Sequence, residues 1–232
     1  MNKKIFLNNL VLGFRYLEIV SNREMRIFLT LFVAISLWLV SNAKKPNIVI
    51  IFTDDQGYAD LGCYGSKTNK TPRLDQLAKE GTMFTSFYTQ AVCGPSRSAL
   101  LTGRYPCRSK GWGMPAGEIT FAELIKGAGY QTACIGKWDV SNRKPIIDRM
   151  PNAQGFDYFF GALGANDPGT IKFHLNNEAA GTSKDMGGLT TLYTDKSIDF
   201  LKNKRDPKKP FILYLAHTMH HSVGPVSYTH LT

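Results

Sequence analysis

Asn47-Ile48-Val49-Ile50-Ile51-Phe52, running into Thr53-Asp54-Asp55-Gln56-Gly57, is the stretch whose reading decides the fold. An uninterrupted apolar run of this length, closed by turn residues, predicts a strand buried on both faces. Pro210-Phe211-Ile212-Leu213-Tyr214-Leu215-Ala216 repeats the pattern and ends in His217. Gln131 to Ile135 predicts a further strand running into Gly136-Lys137-Trp138, and Met83 to Thr89 another. Helical segments lie between them. Thr71 is a cap with Pro72 at the first helical position, Leu74, Leu77 and Ala78 share a face, and Gly81 is a stop. A short helix is expected to begin just after Cys93 and end near Gly103. Ile119 to Leu124 opens a third, with Thr120 and Glu123 as a capping box, Ile119 stapling onto Leu124, and Gly129 closing it. A fourth runs from about Thr190 to Lys204. Strands alternating with helices predict an α/β architecture with a largely parallel sheet. Residues 139–188, rich in Gly, Pro and Asn, are expected to be loops rather than core.

In such sheets ligands sit beyond the carboxyl ends of the strands. Polar clusters fall at three of those ends: Asp54/Asp55, Lys137 and His217/His221. A fourth, Cys93 with Arg97, lies at a helix start. Adjacent carboxylates repel unless a cation sits near them, and a hard divalent ion such as Ca²⁺ or Mg²⁺ suits their oxygens. The alternative is a turn with one capping acid and one solvated acid. A thiol at a helix N-terminus is expected to have a lowered pKa. Arg97, a turn along, can grip an anion held by the helix N–H groups. Buried structural thiol and surface arginine are the plainer alternatives, and Arg104 downstream strengthens the anion reading. Lys137 could neutralise an anionic substrate or be a solvated strand-end lysine. His217 and His221 could donate protons or hydrogen-bond a leaving group.

The composition narrows the classes. With 232 residues, 43% of them hydrophobic, and 14 Phe, 10 Tyr and 3 Trp, the chain supports one substantial core. A net charge of +10 could favour a polyanionic partner. There is no GxGxxG, Walker or HExxH motif, so nucleotide-dependent and zinc-protease readings have no support. The basic residues are scattered rather than set among aromatics, so no nucleic acid is expected as a partner. The four cysteines match no zinc spacing. At the N-terminus, basic residues precede an uncharged, mostly apolar run from Ile27 to Val40, followed by Ser41-Asn42-Ala43. This reads as an export signal within a leader of residues 1–43, cleaved after Ala43, with translation starting at Met25. A retained membrane anchor is the alternative.

Taken together, these residues resemble the sulfatase family of the alkaline-phosphatase-like superfamily. Residues 93–104, Cys-Gly-Pro-Ser-Arg followed by Leu-Thr-Gly-Arg, carry the likeness most specifically. Pro46-Asn47-Ile48-Val49, Asp54-Asp55-Gln56-Gly57, Gly62-Cys63-Tyr64-Gly65, Thr71-Pro72-Arg73-Leu74-Asp75, Gly136-Lys137-Trp138 and Gln154-Gly155-Phe156-Asp157 extend it from residue 45 to about 221. The resemblance implies a three-layer α/β/α fold, truncated here, with residues 44–221 as the N-terminal part of the catalytic domain. It implies that Cys93 is oxidised to Cα-formylglycine by a formylglycine-generating or anaerobic sulfatase-maturating enzyme. The aldehyde hydrate would attack sulfur and later expel sulfate. Asp54, Asp55 and the Cys93 derivative would hold Ca²⁺, with Mg²⁺ as the other hard ion. Arg97 would hold the hydrate, Lys137 a sulfate oxygen, and His221 the sulfate or leaving group.

The chain departs from the family at three places. Asp139 stands where members often carry a His that contacts the formylglycine, so its role stays open, as does that of His217. The expected Pro-His reads His220-His221. The second pair of metal ligands, a further lysine and histidine, and a smaller C-terminal domain would lie beyond Thr232. Residues 222–232 read as a non-native tail, and these 232 residues alone are expected to be inactive. The implied substrate is a carbohydrate or aryl sulfate ester, a sulfated small molecule or glycan. The alternatives are a phosphonate or phosphodiester hydrolase of the same superfamily and a non-catalytic exported sulfated-glycan-binding protein. Export machinery is the expected partner in delivery to the periplasm or exterior, with no lipid anchor indicated.

Overall fold

The computed structural model describes residues 23–41, 44–164, 169–219 and 221. The chain divides into two compact units, Met1–Lys45 and Pro46–Thr232. In the first, helix α1 (Arg23–Ser41) carries the uncharged run from Ile27. No helix among the described residues is long and apolar enough to cross a membrane. Residues 1–22 of the expected leader, the cleavage position at Ala43, His220 and the expected tail 222–232 lie outside the described residues.

The second unit is built on a six-stranded sheet. Its strands are β1 (Ile48–Phe52), β2 (Gln131–Lys137), β3 (Tyr158–Ala162), β4 (Ile171–Leu175), β5 (Glu178–Ser183) and β6 (Phe211–Ala216), in the order β1-β6-β2-β3-β4-β5. The pairs from β1 to β3 are parallel, and β4 and β5 add antiparallel at one edge. Phe52 pairs with Ala216, and Ala216 with Gly136, so β1, β6 and β2 end in line. That register sets Asp54, His217 and Lys137 along one edge of the sheet. Gly136 is required in it: its φ is +114°, and a Cβ there would lie 1.9 Å from the Ala216 carbonyl oxygen.

Two apolar clusters flank the sheet, which makes the architecture three-layered. One gathers Leu101, Ala122, Cys134, Trp138, Phe156, Phe159 and Tyr214 under α3 (Cys93–Thr102) and α5 (Phe121–Gly127). The other gathers Ala133, Ile135, Phe160, Leu213 and Leu215 against Leu189 and Tyr193 of α6 (Leu189–Asp199). Alternate residues of β2 and β6 serve opposite clusters, as the two-residue period of a strand requires. A π-helical turn, Phe200–Lys204, extends α6 and buries Phe200. Two further helices, α2 (Pro72–Glu80) and the short α4 (Pro106–Ser109), flank α3 in sequence.

The capping box of α5 forms as expected: Thr120 Oγ1 accepts from the Glu123 N–H, and Glu123 Oε2 accepts from the Thr120 N–H. Five expectations are corrected. β6 is buried along its length, but β1 is only partly covered on one face and leaves Val49 and Ile51 more than half exposed on the other, where no described helix covers them. Met83 to Thr89 forms no strand; tyrosine hydroxyls satisfy its backbone instead, Tyr58 pairing with Phe87 and Tyr64 with Phe84. Residues 139–188 are not merely loops, since they supply β3, β4 and β5 and bury Val140, Met150, Phe156 and Phe159. Thr71 does not cap α2 with its side chain, because its hydroxyl accepts from the Gly62 N–H and donates to Asp75 Oδ1. The expected staple on α5 buries neither partner, as Ile119 and Leu124 are both exposed.

Candidate active site

Helix α3 starts at Cys93 because Val92 is extended, and it stops at Gly103, whose φ is +64°. Its inward face is polar: Ser96, Arg97 and Ser98 are buried beside Leu101. Arg97 is wholly buried, so it is no surface arginine. Its Nη1 donates to the Lys137 carbonyl and its Nη2 to the His217 carbonyl, each at 3.1 Å. Asp54 Oδ1 lies 3.4 Å from Nη2, and the guanidinium stands over the Phe52 ring. One arginine from α3 therefore ties together the ends of β1, β2 and β6. Burial opposes its charge, but Tyr214, Asp54 and Asp139 outweigh it and hold the guanidinium above its ordinary pKa. Its Nε is buried with no hydrogen-bond partner among the described residues.

Lys137 closes β2 and is also wholly buried, which removes the solvated alternative. Its ammonium donates to Asp54 Oδ2 at 2.7 Å and lies 3.5 Å from Asp139 Oδ2. Asp139 Oδ2 accepts from the Cys93 thiol and from Trp112 Nε1, each at 3.1 Å, while Oδ1 accepts from Arg143 Nε at 2.9 Å. A continuous chain thus runs Asp54, Lys137, Asp139, Cys93. The expected lowering of the Cys93 pKa is corrected. Burial, then the Asp139 carboxylate, push it up, with Lys137 opposing.

Asp55 and His221 stand apart from that chain. Asp55 is half exposed, at a φ of 56°, with His221 Nε2 3.9 Å from its Oδ2. His217 is buried, and its backbone, not its ring, is what Arg97 engages. Arg104 is not brought to the site; it pairs with Glu118 at 2.7 Å on the surface. All four cysteines are free thiols. Motif residues outside the cluster are scaffold. Asp75 accepts from the Cys63 N–H, and Asp157 binds Thr132 and Lys126.

The adjacent acids do have cations beside them, but the protein supplies these: Lys137 and Arg97 face the two oxygens of Asp54. Among the described residues no group of three or more His, Cys, Asp or Glu side chains is placed to hold a metal ion. Ca²⁺ takes six to eight oxygens, more than the four that the carboxylates of Asp54 and Asp55 carry between them.

Three residues beside Cys93 carried too little local signal to be singled out in the sequence. Trp112, Asn142 and Arg143 line a cavity of about 330 Å³. Trp112 sits directly on α3: a Cβ on Gly94 would lie 2.0 Å from its ring. The one legible hint was the four-residue spacing of Asp139 and Arg143.

A buried, cation-rich cluster thus lies at the carboxyl ends of the strands of an α/β sheet, facing a cysteine at a helix start. The chain belongs to the sulfatase family, whose sequence model matches residues 46–230. It is 36% identical to arylsulfatase A of Homo sapiens over 218 residues, covering 79% of this chain and 42% of that protein. It is 32% identical to N-acetylgalactosamine-6-sulfatase of Rattus norvegicus, covering 84% and 43%. The chain thus spans less than half the length of these curated relatives. Among solved structures, it is similar to a protein in complex with its substrate D-glucosamine-2-N,6-O-disulfate (TM-score 0.66, 33% identity, 77% of this chain and 35% of that one). It is also similar to Ps i-CgsB in complex with k-i-k-neocarrahexaose (TM-score 0.68, 30% identity, 77% and 46%).

Proposed function

We propose that the protein of which these residues form part hydrolyses sulfate esters of carbohydrate or aryl alcohols, with Cys93 as the precursor of its nucleophile. The observation that carries this reading is the convergence of Cys93, Lys137 and Arg97 at the carboxyl ends of β1, β2 and β6. Fixed cations there are suited to negative charge growing on sulfuryl oxygens. A thiol whose pKa is raised is a poor nucleophile, which favours chemical conversion of Cys93 to Cα-formylglycine over direct attack by sulfur. The formylglycine hydrate would supply the hydroxyl that attacks sulfur. Arg97 Nε, a buried donor one turn from Cys93, is suited to hold an oxygen at that position. Lys137 would bind a sulfate oxygen, His221 would serve the leaving group, and Asp139 would fix the orientation of the group at position 93.

Ca²⁺, or Mg²⁺ by the same hard-oxygen chemistry, would polarise a sulfate oxygen, with Asp54 and Asp55 as contributed carboxylates and the remaining ligands from outside the described residues. The sulfated glycans bound by similar structures support a carbohydrate sulfate as substrate. The basic residues and apolar run of the leader support export to the periplasm or exterior.

The test is expression with and without a formylglycine-generating enzyme, mass spectrometry of the Cys93 peptide, and assay of matched aryl sulfate and phosphate esters. Maturation-dependent sulfate hydrolysis is the expected result for the full-length protein. Preference for the phosphate ester, or a Cys93 that stays an unmodified thiol in its native host, would overturn the reading. The 232 residues alone are expected to be inactive, since Asp54 and Asp55 carry fewer oxygens than Ca²⁺ takes, and metal-dependent turnover by them would refute that.

A further inference from the structure

We infer that Trp112 is a positioning residue for the reacting group at position 93: its indole N–H fixes the Asp139 oxygen on which that group is aligned. This rests on the sulfate-ester reading of the site and deepens it.

The groups meet at one atom. Asp139 Oδ2 accepts from the Cys93 thiol and from Trp112 Nε1, each at 3.1 Å, and Lys137 Nζ lies 3.5 Å away. The torsion that turns an aspartate carboxylate is broad and soft, so the side chain alone does not decide where its oxygens point. Neighbouring donors decide it here. Arg143 Nε holds Oδ1 at 2.9 Å, and Trp112 Nε1 holds Oδ2. Of these two, Trp112 grips the oxygen that Cys93 also uses. Asp139 is wholly buried, so bulk water does not replace a donor lost there.

A positioning group must itself be fixed, and Trp112 is held at its nitrogen, its ring and its backbone. Gly94, the residue after Cys93, lies against the ring: a Cβ there would come within 2.0 Å of Cδ1 and 2.1 Å of Nε1. The Arg143 guanidinium carbon stands over the ring, 5.9 Å from its centre. The Trp112 carbonyl accepts from the Asn142 N–H at 2.8 Å, and Gly113 beside it bridges to Ser141. The chain reaches Trp112 through two consecutive left-handed residues, Lys110 at a φ of 60° and Gly111 at 53°. Left-handed backbone at a lysine costs energy and persists where the surroundings impose it.

Core packing does not account for this much fixing. Trp112 is 37% exposed and belongs to neither apolar cluster. An indole nitrogen is a donor only, and this one is directed at Asp139 Oδ2. The consequence falls on rate rather than on binding. A misaligned attacking atom lowers the reactive fraction of bound substrate without changing how much is bound.

The test uses the full-length protein after maturation, with Trp112→Phe and, at the same position, the benzothienyl analogue of tryptophan, which keeps the bicyclic packing and lacks the N–H. Both should lower kcat about ten-fold with KM within about two-fold of the parent. The urea midpoint of the protein carrying the analogue should match that of the parent. 7-Azatryptophan, which keeps the N–H, should restore kcat. In an Asp139→Ala background the analogue should lower kcat no further, because the oxygen it releases is gone. A second readout needs no turnover: crystal structures of Cys93→Ser with tryptophan and with the analogue at position 112. The side chain at position 93 should point singly at Asp139 Oδ2 with tryptophan and divide between rotamers with the analogue. The role of Trp112 would be overturned by a kcat within about two-fold of the parent, by a loss that persists undiminished in Asp139→Ala, or by a side chain at position 93 that the analogue leaves unmoved. If the matured protein hydrolyses no sulfate ester but the side chain at position 93 still divides, the positioning role stands and the sulfate-ester reading falls.

Discussion

Lys137 Nζ lies 2.7 Å from Asp54 Oδ2, and both side chains are almost wholly buried. The pair joins residues 83 positions apart, at the ends of β2 and just beyond β1. Lys137→Met would leave Asp54 with Arg97 as its remaining cation, in an environment that penalises an under-compensated carboxylate. The expected cost is about 3–5 kcal/mol, read by urea unfolding. Adding Asp54→Asn should recover much of that loss, because the buried charge goes with its partner. A Lys137→Met protein as stable as the parent would show that the pair contributes nothing to the fold.

The Cys93 thiol should alkylate slowly at neutral pH. Burial and the Asp139 carboxylate both disfavour the thiolate, so the rate should rise through a midpoint above that of a free cysteine, about 8.5. Asp139→Asn removes the negative charge and should move the midpoint down. Site-resolved mass spectrometry separates Cys93 from the exposed Cys107. A midpoint below that of free cysteine would contradict the arrangement around Asp139.

Gly94→Ala should displace Trp112. The added Cβ would lie 2.0 Å from the indole, and rigid ring atoms cannot yield as a flexible side-chain end would. A loss of about 1–3 kcal/mol is expected, together with a change in tryptophan fluorescence as Nε1 leaves Asp139. Unchanged fluorescence and stability would mean that Trp112 does not rest on α3.

Asp157 should contribute to acid lability. Burial raises its pKa, but Lys126 and Thr132 outweigh burial and hold it below the ordinary carboxylate value. A depressed folded pKa gives stability that is present above the unfolded value, about 3.9, and lost as pH falls through the folded one. Unfolding midpoints measured from pH 5 to pH 3 should therefore fall less steeply in Asp157→Asn than in the parent. The effect should be modest, because the group is one-third exposed. Parallel profiles would rule the contribution out.

Where a signal was local, the sequence carried it. The capping box at Thr120 and Glu123 needs only residues three apart, and it forms. Helix α3 begins at Cys93 and ends before Gly103 because Pro95 and Gly103 act on the chain beside them. β1 and β6 are nearly equal as apolar runs, yet β6 lies mid-sheet, buried on both faces, while β1 leaves Val49 and Ile51 open. Whether a strand face is covered depends on where α6 packs, and no window of residues around β1 contains that. Met83 to Thr89 has strand-like composition but finds tyrosine hydroxyls in place of a partner strand.

The candidate site divides in the same way. The sequence by itself determined the kinds of groups and their stations: two acids after β1, a lysine ending β2, a cysteine and an arginine opening α3. Each station follows from the chain's own turn and cap chemistry. Only the tertiary structure decided who meets whom. Parallel register aligned the ends of β1, β6 and β2, so that Asp54 took Lys137 and Arg97 as its cations. Asp139 became the common acceptor for Cys93, Trp112 and Arg143. Ion pairs and hydrogen bonds act over a few ångströms of space, and distance along the sequence does not measure that.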